Sequence, residues 1–214
     1  MNVLKIMIAS LLTVSLTAPV VVQASKITND ATSIYYTGHV DKGDRDKLKK
    51  VLDSTGIKVV NLNSRGGFAW EALRIGYLFK DYGITVVIDD DNHCLSACAT
   101  LTVGAKHKQI KGLLGFHVAW SKDKGTYSEG LTRGQFLGAI KAIYYFDMGY
   151  IAHLPYLITR YTKPDTFLLL SQEDLEKFKY DSKENYGSSF PTPDSWIADR
   201  MAGAMRLRLL LKNN

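Results

Sequence analysis

Two cysteines, Cys94 and Cys98, are all that the 214 residues contain. That scarcity excludes a fold held chiefly by disulfides, so the chain must rest on a hydrophobic core. Metal chemistry is starved as well. A zinc centre built from the two cysteines and His93 has no evident fourth ligand, and neither a metal nor any other cofactor is expected. Beyond residue 24 no segment is apolar enough to span a bilayer. Internal repeats and low-complexity tracts are absent. The 27 basic residues exceed the 21 acidic ones without forming a dense stripe, which argues against a nucleic-acid partner.

What is present begins with the N-terminus. Met1 to Ala24 carries a single charge, Lys5, then an uncharged Ile, Leu, Val and Ala stretch that closes on Val22-Gln23-Ala24. This is the pattern of a secretory signal peptide cut after Ala24, and it predicts a periplasmic or secreted protein. An uncleaved membrane anchor is the alternative. About 190 residues remain, with a formal net charge of +5, enough for one domain with a real core. The excess charge suits solubility, or weak attraction to an acidic envelope surface. In an oxidising compartment Cys94 and Cys98 can bridge, because α-carbons four apart on a helical turn lie about 6 Å apart. Two buried free thiols are the other reading.

The order of elements reads as an α/β layered domain. Ser33 to Val40 is β-rich, and Asp44 to Asp53 sets Leu48, Val51 and Leu52 on a helical stripe. Ile57 to Leu62 is a short buried-strand run, followed by helical spacing from Gly67 to Tyr82. Ile84 to Ile88 reads as a strand, Asp89 to His93 as a polar loop, and Leu95 to Val103 as a buried small-residue helix. Strands alternating with helices imply right-handed parallel crossovers. Lys108 to Ile110 and Leu113 to Trp120 read as strands, and Leu131 to Tyr161 as largely helical with a break at Pro155. Phe167 to Leu170 is a short strand or turn, and the run from Ser171 to Asp174 has a capping-box pattern. Tyr186 to Pro193 reads as a linker into a basic amphipathic helix from Ser195 to Lys212. That helix is expected to pack with a solvated basic face, and it leaves membrane-surface contact as its alternative use.

The chemistry concentrates between residues 62 and 117. Ser96 lies in a Cys-Leu-Ser-Ala-Cys turn after a polar loop, and His117 ends an apolar run 21 residues later. A serine hydroxyl needs a neighbouring base to attack a carbonyl, and a neutral imidazole suits that task. At a helix start, free N–H groups and the helix dipole favour developing negative charge, so Ala97 N–H is half of a candidate oxyanion hole. Gly66 and Gly67, ending LNSRGG, would supply the other half, since the missing side chains let the backbone approach substrate. His39 and His153 fall in elements expected to be structural, His107 in an exposed turn, and His93 on the wrong side of its loop. A Ser-Lys pairing would have to draw on Lys106 or Lys108.

The stretches Asn63-Ser64-Arg65-Gly66-Gly67, the Ser96 turn, Val103-Gly104-Ala105-Lys106 and Gly115-Phe116-His117 follow one another in a familiar order. Over roughly residues 34–181 this order resembles the Clp-type serine peptidases of the crotonase-like superfamily, and most of all the small secreted, periplasmic branch with a Cys-x-Ser-x-Cys turn. The resemblance implies a crotonase/Clp-like layered fold over residues 25–185, with residues 186–214 as linker and terminal helix. It implies a serine hydrolase acting on peptides or proteins, and a homo-oligomer. It also implies an acid behind the histidine, for which Asp165 is the nearest carboxylate, offset by about two residues. Arg65 stands where the family has proline, and the cysteines replace small residues around the serine. These departures support the alternative function, a catalytically inactive Clp-like fold acting as an envelope binding or assembly module.

Overall fold

A computed structural model of the protein describes residues 23–118, 127–180 and 200. Its elements run β1 (Lys26–Asn29), β2 (Ile34–Val40), α1 (Asp44–Thr55), β3 (Val59–Gly67), α2 (Ala69–Tyr82), β4 (Thr85–Ile88), β5 (His93–Leu95), α3 (Ala97–Thr102), β6 (His107–Ile110), β7 (Leu113–Phe116), α4 (Tyr127–Asp147), α5 (His153–Tyr161), β8 (Leu168–Leu169) and α6 (Gln172–Lys177). The expected α/β class is the observed one. The linker and most of the C-terminal helix expected from Ser195 to Lys212 lie outside the described residues.

The strands form a forked sheet, and the fork lies on β3. Its first half, Val59 to Asn61, pairs in parallel with β4, which pairs with β6. Farther along, Ser64 pairs with Cys94 of β5, and β5 continues to β7 and antiparallel β8. On its other side β3 pairs with β2 as far as Gly66 and Gly67, which sit opposite His39 and Val40. The strand expected over Ile57 to Leu62 therefore begins at Val59 and runs on through both glycines. Both glycines have left-handed φ, 96° and 153°, and both are pressed by neighbouring backbone. A Cβ on Gly67 would meet Val40 O at 2.4 Å, so only glycine lets this strand end lie so close to β2.

Two further boundaries differ from the sequence reading. His93–Leu95 is strand rather than loop and helix start, because β7 pairs with all three residues and β3 pairs with Cys94 on the other side. The break in the long helical run falls between Asp147 and His153, not at Pro155. Pro155 sits in the first turn of α5, where the missing N–H has no helical acceptor to lose. The capping box at Ser171 and Asp174 forms as expected.

The core lies between the sheet and helices α1 to α4, with Ile34, Tyr36, Leu48, Leu62, Phe79 and Val86 fully or almost fully buried. Helix α3 is gripped on two sides. Gly104, just past its end, packs backbone to backbone against Gly76 of α2, and Tyr144 of α4 donates to Thr100 O at 3.0 Å. A six-residue helix is too short to hold itself. These clamps fix it, and with it the turn at its N-terminus.

Candidate active site

β5 and β7 are adjacent parallel strands whose C-terminal ends deliver the two residues of interest. Ser96 directly follows β5, His117 directly follows β7, and Ser96 N–H donates to Gly115 O at 2.8 Å. Open α/β sheets place their reactive groups at this end of their strands. The Ser96 hydroxyl meets His117 Nε2 at 2.5 Å. Sequence distance of 21 residues has become one hydrogen bond.

Ser96 is held in an unusual conformation. At φ 59° and ψ −117° it has the one positive φ found outside glycine among the described residues. Such a conformation costs about 1–3 kcal/mol and survives only when its surroundings enforce it. Three contacts do so: the Gly115 carbonyl on its amide, Thr100 N–H on its own carbonyl at 3.0 Å, and a disulfide joining Cys94 to Cys98 around it. The bridge decides between the two readings of the cysteine pair. Their α-carbons are 5.0 Å apart, and both residues are fully buried. Since both sulfurs are in the bridge, the zinc alternative is removed.

His117 is neutral at physiological pH. Burial lowers its pKa from 6.5 to about 4, helped by the positive charge of Lys141, while the backbone carbonyls of Lys163 and Pro164 pull it part of the way back. A neutral ring accepting at Nε2 carries its proton on Nδ1. That atom is buried and forms no hydrogen bond of good geometry, so the two carbonyls act on it electrostatically without being aligned as acceptors. Asp165 therefore does not hold this imidazole: no hydrogen bond joins it to Nδ1. The ring is instead packed against Phe167, at 4.9 Å between centroids.

The expected oxyanion groups gather at the same place. A Cβ on Gly66 would lie 2.6 Å from Ser96 Cβ and 2.9 Å from Ala97 N, so β3 runs directly against the serine turn. Ala97 N–H is in the first turn of α3, where no helical carbonyl is available to it. Gly66 N–H, however, donates to Ser64 Oγ at 3.1 Å, which leaves Gly67 as the glycine donor to consider. Arg65 is exposed, and its charge is felt at His93, where burial and then Arg65 lower the pKa.

Sequence reasoning missed Lys141. It lies on α4 with only 8% of its surface exposed, its ammonium 5.9 Å from the centre of the Tyr145 ring, and Tyr145 in turn meets Phe116 edge-on beside His117. Burial brings its pKa down to about 8. A lone lysine within a helical run carries no sequence signal of burial. Lys108, considered earlier as a partner for serine, instead donates to Ala105 O at 2.6 Å beyond the far end of α3.

No protein-family model matches the chain, and no curated protein matches it in sequence. Solved structures do match in shape. A variant of ClpP1 from Listeria monocytogenes superposes with a TM-score of 0.51 at 13% identity, over 70% of this chain and 88% of its own. The fold is ClpP-like. A membrane-bound stomatin-specific protease, 1510-N, is also similar, at a TM-score of 0.48 and 13% identity over 69% of this chain and 75% of its own. The ClpP-like fold is thus shown by shape alone, and the arrangement around Ser96 has to be judged on its own chemistry.

Proposed function

We propose that the chain is a periplasmic or secreted serine hydrolase that cuts peptide bonds. The observation that carries this reading is the 2.5 Å contact between Ser96 Oγ and a neutral His117, made by a serine in an enforced positive-φ turn. Ser96 Oγ attacks the substrate carbonyl while His117 Nε2 takes its proton, and Ala97 N–H with Gly67 N–H faces the oxyanion. His117 then returns the proton to the leaving amine, and water repeats the sequence on the acyl-enzyme. The ClpP-like fold, the signal-peptide pattern and the sequence resemblance support it. A homo-oligomer belongs to the same reading, supported by the apolar face of α4, where Phe136, Ile143 and Phe146 are each more than half exposed.

One observation favours the second reading, an inactive fold serving as an envelope binding module. His117 has no acid at Nδ1 and a pKa near 4, which makes it a weaker base than one poised near neutrality. Hydrolysis of an unfolded protein substrate by the mature chain, with Ser96→Ala beside it, separates the two. Activity lost by at least about 100-fold in the variant is expected for a covalent nucleophile. Equal rates in both proteins would favour the binding module.

A further inference from the structure

The residue that the signal-peptide pattern places first in the mature chain is already seated on two carboxylates. Ser25 N donates to Asp41 Oδ2 at 3.0 Å, and Ser25 Oγ to Asp44 Oδ1 at 2.7 Å. Asp44 is completely buried and also accepts from Tyr36 Oη at 2.7 Å and from Asp41 N–H at 2.8 Å. Lys47 reaches Asp44 at 2.9 Å, and His39 Nδ1 meets Asp41 at 2.7 Å. Among the described residues Lys47 is the fixed cation paired with this group, so two carboxylates share one permanent positive charge.

We propose that cleavage between Ala24 and Ser25 creates a structural cation: the new α-ammonium of Ser25 becomes the counter-ion of the Asp41 and Asp44 pair and locks the end of β2. The inference rests on the secretion reading above. A signal-removing peptidase adds water across the Ala24–Ser25 amide. Ala24 leaves with the carboxylate, and the Ser25 amine takes up a proton. The nitrogen need not move, because Asp41 already accepts from it and Asp44 holds the Ser25 hydroxyl; the cut removes the contacts of Gln23 O with His39 N–H, at 2.9 Å, and of Ala24 O with Gly38. At Asp41 what changes is charge. The amide hydrogen bond to the Asp41 carboxylate, already charge-assisted, becomes an ion pair, which adds the Coulombic attraction of two full charges in contact.

The location gives the lock a consequence. His39, held by Asp41, lies against Gly67, whose notional Cβ would meet His39 Cε1 at 2.6 Å, and Val40 O accepts Phe68 N–H at 2.7 Å. The N-terminal ion pair therefore braces the strand end that carries Gly66 and Gly67 against the Ser96 turn.

The test compares chains of defined N-terminus, one beginning at Ser25 and one retaining Ala24, each with and without Asp41→Asn. The Ser25 chain is expected to melt about 2–4 °C higher than the extended one, with slower hydrogen exchange in the segment 64–68. The increment should vanish in Asp41→Asn, which keeps the side chain's shape. Equal melting and exchange for the two N-termini, or an increment that persists in Asp41→Asn, would overturn the proposal. N-terminal sequencing of the exported protein should find Ser25 first; any other start overturns it too. None of these readouts needs Ser96 to be active, so failure here and failure of the hydrolase reading are separate results.

Discussion

Among single residues, the chemistry turns on the protonation of His117. With a folded pKa of about 4 against 6.5 for the free side chain, the unfolded state binds more protons between these pH values. Stability then rises with pH across that window and is lost on acidification, by about 3 kcal/mol in total. Denaturant melts between pH 4 and 7 check this, with His117→Gln expected to flatten the slope. Serine reactivity should remain near its plateau down to pH 6 and fall as pH approaches 4, where the base becomes protonated. Lys141 contributes to the low value, so Lys141→Met should move the reactivity midpoint to higher pH. The shift should be smaller than the part due to burial, the larger cause. A midpoint unmoved by the substitution would remove Lys141 from the electrostatics of the site.

At the element scale the unit that matters is β5, the serine turn and α3, closed on itself by the disulfide. In the loop-entropy view a bridge around so short a loop contributes about 2 kcal/mol. Its effect on the turn should exceed its effect on the fold, since within this unit Ser96 alone carries a positive φ. Reduction with dithiothreitol is expected to lower Ser96 reactivity by at least tenfold, about 1.4 kcal/mol, while far-ultraviolet circular dichroism stays the same. Unchanged reactivity after proven reduction would mean that the hydrogen bonds to Gly115 and Thr100 suffice. Much of this unit was legible. Ser96, Ala97, His117 and the glycines stand in an order that is informative, and the structure brings them together. The three-residue strand β5 was hidden because so short a run opening on polar His93 shows no strand pattern and its partners lie far off in sequence on β3 and β7, and the path of β3 through Gly66 and Gly67 was hidden because glycine disfavours strands until close packing demands it.

At the scale of the whole molecule, alternating strands and helices were enough to fix the class, since short apolar runs between amphipathic helices admit few arrangements. The fork in the sheet was not, because it depends on which strands β3 meets at each end. Nor was the failure of Asp165 to reach Nδ1, which depends on the path between α5 and β8. The exposed face of α4 gives a prediction of its own. Sedimentation of the mature chain should show a self-associated species, and joint substitution of Phe136→Asp and Ile143→Asp should yield monomer without unfolding. A monomeric wild type would leave that face without a role in assembly.

Activation of Ser96 is tested by fluorophosphonate labelling of the oxidised, mature protein with mass mapping of the adduct. The serine oxygen would form the bond to phosphorus as fluoride leaves. One adduct is expected on the peptide containing Ser96, absent in Ser96→Ala and strongly diminished in His117→Ala. A folded, oxidised protein that takes up no label at Ser96, or labels equally well without His117, would contradict that activation.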